Sequence, residues 1–184
     1  MFIWEWVQGL SGGAATVVGT ATGSFLGLLT LLLGALYNAR LNRKRDDRIR
    51  AEERRGVAAA LRAELSGIVK IIEGNVTALR ENPPEADEGF LASDLAQFVR
   101  VMPQVLPKIG LLDAETIRTT MQAYSMIDEL FAKYMILSGS APNETLKKMG
   151  RMYIAGNLTE KIIQMNEVVL SDLQDAIMRL RAFA

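Results

Sequence analysis

The strongest constraint on this chain is a gap in charge. Between Glu5 and Arg40 there is no Asp, Glu, Lys or Arg. The most apolar part, Val17 to Leu36, contains the run Phe25-Leu26-Gly27-Leu28-Leu29-Thr30-Leu31-Leu32-Leu33. About 20 residues at 1.5 Å rise span the roughly 30 Å hydrocarbon core of a bilayer. A helix satisfies its own backbone in such a medium. The pattern therefore predicts one transmembrane helix over residues 14–37. A cleaved secretory signal fits less well, because its positive charges precede the apolar region and here they follow it. An interfacial amphipathic helix would need a charged face, and this segment has none.

The flanks predict orientation. Arg40, Arg43, Lys44, Arg45, Arg48 and Arg50 sit just past the apolar run, whereas the other side offers only Glu5. By the positive-inside bias the N-terminus lies outside and the rest of the chain is cytoplasmic. Trp4, Trp6 and Tyr37 are placed as interfacial aromatics. As one helix, Trp6 to Tyr37 would run roughly 47 Å, too long for the core alone. Residues 1–13 are accordingly expected to be an interfacial segment that breaks near Gly12-Gly13.

Within the span, Gly19, Gly23 and Gly27 recur every four residues. Small residues at that spacing line one helix face and let another backbone approach closely. The bland reading is compositional, since glycine is common in membrane helices. The sharper reading is a packing face, for a second copy of the chain or for another membrane protein. After the span, residues 38–56 read as a basic stalk helix, with Asp46 and Arg50 or Arg48 and Glu52 at the supporting i, i+4 spacing. Its proximal cluster, Arg40, Arg43, Lys44 and Arg45, is the expected contact with anionic lipid headgroups.

Residues 57–184 are expected to form a cytoplasmic helical bundle. Val57, Leu61, Leu65, Ile68, Ile72, Val76 and Leu79 step by three and four, the signature of one apolar helix face. Asn82-Pro83-Pro84 stops that helix, because proline lacks the backbone donor and restricts the residue before it. A short helix is expected near 91–101. Asp113 is placed as the N-cap of a helix over about 114–138, with Ile117, Met121, Tyr124, Ile127, Phe131 and Tyr134 on its buried face. Pro142 is expected to open the last segment. Its helix carries Leu158, Ile162, Met165, Val169, Leu173, Ile177 and Leu180 inward, with Gly150 and Gly156 in its first turns. No stretch reads as a strand of adequate length. The fold class predicted is all-α: one transmembrane helix continuing into a small antiparallel bundle.

Composition narrows the chemistry. Lys+Arg and Asp+Glu both total 21, and histidine and cysteine are absent. Disulfides, thiolate nucleophiles and Cys/His zinc, haem or iron–sulfur sites are thereby excluded for this chain alone. No phosphate-binding loop or nucleophile elbow appears. No catalytic residues, metal or cofactor are expected, and no nucleic-acid partner, since the basic stretch lacks interleaved aromatics and a recognisable motif. The nine methionines more often fill core gaps than mark a binding surface.

The uncharged span, the stalk RLNRKRDDRIRAEERR, the ALRAEL that follows and the Pro-bounded IGLLDAETI turn are carried together by most of the chain. In this layout it resembles a loose class of bacterial single-span membrane proteins with an Arg-rich juxtamembrane stalk and a helical cytoplasmic domain. The class has no assigned activity, so the resemblance implies a layout and not a reaction; the expected location, from the span and its charged flank, is the bacterial inner membrane. The leading expectation is a non-catalytic interaction module, a scaffold or accessory subunit of a membrane complex. The alternative is a homo-oligomeric, holin-like pore, with Thr16, Thr20, Thr22, Ser24 and Thr30 turned to water. A sensor ranks below both, and an enzyme last.

Overall fold

The computed structural model describes residues 12–85, 88–138 and 151–183. Helix α1, Gly12–Glu81, is 70 residues long and contributes to both units into which the chain divides, residues 1–49 and 50–184. It ends immediately before Asn82-Pro83-Pro84, where proline chemistry requires an end. Strand β1 is Gly89–Ser93, followed by a 3-10 turn at Leu95–Phe98. The single-turn helix α2, Met102–Val105, leads into a second 3-10 turn, Leu106–Leu111. Helix α3 is Ala114–Ser138, strand β2 is Arg151–Ala155, and α4 is Thr159–Arg181.

The second unit is closed around the apolar face read from α1. Val57, Leu61, Leu65, Ile68, Ile72, Val76 and Leu79 are all buried. Against them pack Ile127 and Leu130 of α3 and Ile162, Val169, Leu173 and Leu180 of α4. Cross-helix contacts give the directions. Along α3 and α4, Arg179 meets Glu115 at 3.3 Å, Gln122 donates to Asp172 at 3.2 Å, and Tyr134 donates to Asn166 at 2.7 Å. Those two helices are antiparallel. Arg54 lies over the Phe183 ring at 5.5 Å while Arg80 pairs with Glu167, so α1 and α4 are antiparallel as well.

The expected antiparallel bundle needs one correction. Tyr124 meets Glu64, and further along both helices Leu79 and Tyr134 line one cavity, so α1 and α3 run in the same direction. Parallel neighbours require a returning connection, and residues 82–113 supply it. This segment travels back along α1, with Arg100 to Met102 tied to Glu64 and Lys108 paired with Glu53 at 3.0 Å. Asp113 then caps α3: Thr116 N–H donates to Oδ1 at 2.9 Å and the Thr116 hydroxyl to Oδ2 at 2.8 Å. These two bonds hold the Asp113 carboxyl below the usual aspartate range.

A second correction concerns strands. Where a short helix was expected near 91–101, the chain forms β1, which pairs antiparallel with β2 in the register Phe90↔Ile154 and Leu91↔Tyr153. Ala92 and Ile154 face the core, and Leu91 and Tyr153 face outward. Two glycines make this docking possible. A Cβ at Gly89 would strike the Tyr153 ring, and one at Gly156 would strike the Pro84 and Glu85 carbonyls. Gly156 also donates its N–H to the Glu88 carbonyl at 2.8 Å. The start of the expected last helix is therefore β2 and a 3-10 turn at Gly156–Leu158.

The buried faces also rotate slightly from those read off the sequence. In α3 the core side carries Thr116, Thr120, Ala123, Tyr124, Ile127, Leu130 and Tyr134, whereas Met121 is exposed. Small side chains there permit close helix approach, which turns the bulky Met121 outward. In α4, Asn166 is buried beside the expected stripe, and Met165 is only partly covered. The Phe131 side chain, Pro142 and Gly150 lie outside the described residues.

Candidate functional site

None of the described residues of the first unit packs as the second unit does. Every described side chain from Thr20 to Arg50 is exposed, the leucines included. Phe25 is 61% exposed, Leu31 74% and Leu33 66%. Among the described residues, α1 is the one helix long and apolar enough to cross a membrane, and its apolar window is wholly unburied within the protein.

On this surface Gly19, Gly23 and Gly27 lie on α1 at successive four-residue steps, and a Cβ built at any of them meets no atom of the described residues within 4 Å beyond its own stretch of helix. Three of the polar side chains in the segment turn inward on the helix itself. Thr16 donates to the Gly12 carbonyl at 3.0 Å, Thr20 to Thr16 at 2.9 Å and Thr30 to Leu26 at 2.9 Å. Such back-bonding satisfies a hydroxyl without water. Tyr37 is exposed, and so are Arg40, Arg43, Lys44 and Arg45; Arg43 Nε donates to the Ala39 carbonyl at 3.4 Å. Trp4 and Trp6, with the interfacial segment expected at the N-terminus, lie outside the described residues. Both Gly12 and Gly13 are helical.

The second unit holds two polar groupings that sequence reading missed. Glu64 accepts hydrogen bonds from the backbone N–H groups of Arg100, Val101 and Met102 and from the Tyr124 hydroxyl, the last at 2.7 Å. Burial alone would raise this carboxyl, but the four donors outweigh it and hold Glu64 below the usual glutamate range. Tyr124 is pushed well above the ordinary tyrosine value, first by burial and then by the carboxylate it faces. Glu64 thus fastens the returning connection to α1 and α3. The second grouping is Tyr134 with Asn166, both buried, with Asn166 Nδ2 donating to the Ile162 carbonyl at 2.8 Å. The signal in both cases was a polar residue directly beside an apolar stripe, which becomes informative only once its partners are known. Among the described residues no three metal-ligating side chains gather closely enough to hold an ion.

Compared with known protein families, with characterised proteins and with solved structures, the chain matches none of them.

Proposed function

We propose that this chain is a single-span membrane protein and a non-catalytic interaction module, acting as a scaffold or accessory subunit of a membrane complex. The observation that carries the reading is the unburied apolar surface of α1 from Val17 to Leu41, uncharged until Arg40. A water-soluble monomer rarely exposes so continuous an apolar area, and a bilayer removes it from water. The first half of α1 then crosses the membrane of a bacterial cell. Its N-terminus is outside, Arg40, Arg43, Lys44 and Arg45 meet headgroups, and the helical unit is cytoplasmic. The back-bonded threonines support a dry surround better than a water-lined pore.

The glycine face is the proposed docking surface, because none of the described residues stands over Gly19, Gly23 and Gly27 and a neighbouring helix can approach them closely. The decisive experiment is gentle extraction of the tagged chain from its native membrane, followed by mass spectrometry of what co-purifies. A stoichiometric membrane partner that is lost from Gly23→Leu is the expected result. Partners retained by that variant would remove the glycine face from the proposal. A pure homo-oligomer that makes liposomes leak dye would replace the module with the pore. Release of the wild-type chain by alkaline carbonate washing would overturn the span itself.

A further inference from the structure

Where the paired strands cover the bundle, a cavity of about 170 Å³ lies between α1, β1, α3 and α4. Leu79, Leu95 and Ile162 form apolar parts of its wall, and Asn75, Tyr134 and Asn166 supply polar ones. No Asp, Glu, Lys or Arg is among the described residues that line it. We propose that this cavity is a binding site for a small uncharged molecule with a ring-sized apolar body and one hydroxyl or carbonyl group.

Size sets the body. An engineered apolar cavity of about 150 Å³ accepts benzene, so the space here fits a six-membered ring with one substituent. Hydrogen-bonding capacity sets the head. Tyr134 O–H is committed to Asn166 Oδ1 at 2.7 Å, and one Asn166 Nδ2 proton to the Ile162 carbonyl at 2.8 Å. That leaves the second Nδ2 proton and lone pairs on the tyrosine and amide oxygens, a set able both to donate and to accept. Tyr134 is 4% exposed and Asn166 3%, so bulk water does not reach them freely. Charge sets the exclusion. An ionised ligand would lose its hydration and find no counter-charge on the wall. Buried polar groups converging on a mainly apolar pocket are the usual build of a small-molecule site.

Every described residue lining the cavity belongs to the second unit, so the site does not rest on the proposed function. The full-length protein in nanodiscs is titrated with 4-fluorophenol and, separately, with 4-fluorobenzoate, reading the ligand's fluorine resonance against empty nanodiscs. Saturable fluorophenol binding is expected, with fluorobenzoate at least about tenfold weaker. Ala92→Leu, which fills the cavity from β1, and Ala78→Leu, which does so from the exposed side of α1, should each weaken binding by about tenfold or more. Tyr134→Phe should weaken it about three- to tenfold, the effect of one neutral hydrogen bond. Circular dichroism melting of each variant separates loss of the site from loss of the fold. Fluorophenol uptake no greater than in empty nanodiscs would overturn the proposal. So would equal binding of the benzoate, or wild-type affinity in both folded cavity-filling variants.

Discussion

The two halves of α1 have the same backbone conformation and opposite surroundings. In the first, Phe25, Leu28, Leu31 and Leu33 touch no core; in the second, Leu61, Leu65, Ile68 and Ile72 are essentially sealed from solvent. Their patterns explain the difference. The second half gathers its large apolar residues on one side and gives the other to small, polar and charged ones, so one side can be covered by α3 and α4 while the other stays wet. The first half is apolar all round, and no single protein face can cover it. Helix formation was a local matter in both. Burial within the protein was available to only one.

Paired leucine substitutions test this contrast most directly. Leu65→Ala should destabilise the helical unit by about 2–5 kcal/mol, the range for deleting a buried leucine side chain. Leu28→Ala should leave the same unit within about 0.5 kcal/mol of wild type. Chemical denaturation in detergent, followed through the tryptophan-independent helical signal, measures both; equal losses would show that the two halves share one cooperative core.

Next in size, Gly156→Ala should cost about 1–3 kcal/mol, because its Cβ meets rigid backbone carbonyls rather than a side chain that can swing away. Gly19→Ala should leave the unfolding midpoint of the helical unit unchanged, since nothing opposes a methyl there.

A smaller effect is expected at Glu64, where solvent screening reduces the value of its hydrogen bonds to about 1 kcal/mol. Its carboxyl is held below the ordinary glutamate value by Val101, Tyr124, Arg100 and Met102 against the opposing effect of burial. A depressed carboxylate contributes fully above the unfolded value of about 4.3 and loses that contribution as pH falls through the lower folded one. The wild-type midpoint should therefore fall more steeply than that of Glu64→Gln as the solution is acidified below about pH 5. Parallel acid limbs would show that the connection is held by other contacts.

The smallest change expected is a gain. Thr120 is fully buried and its hydroxyl has no hydrogen-bond partner among the described residues. Thr120→Val replaces that hydroxyl with a methyl of similar size and should stabilise the unit by about 1 kcal/mol. A loss on the same denaturation curve would mean that the hydroxyl is hydrogen-bonded in solution.

What the sequence determined by itself was local. The uncharged stretch, the buried stripe of α1, the proline stop after Glu81 and the Asp113 cap all depend on residues within a turn or two of one another. For the candidate surface, the four-residue spacing of Gly19, Gly23 and Gly27 and the basic cluster after the uncharged stretch were legible for the same reason. Only the tertiary structure paired β1 with β2. Five-residue strands far apart in the chain carry too little periodicity to announce themselves, and Gly89 and Gly156 matter only because Tyr153 and the Pro84–Glu85 carbonyls come to lie against them. The same holds for the parallel course of α1 and α3, for the four donors on Glu64 and for the cavity beside Tyr134 and Asn166. Each depends on groups brought together across the chain, and a hydrogen bond or a cavity wall has no trace in the spacing of either partner alone.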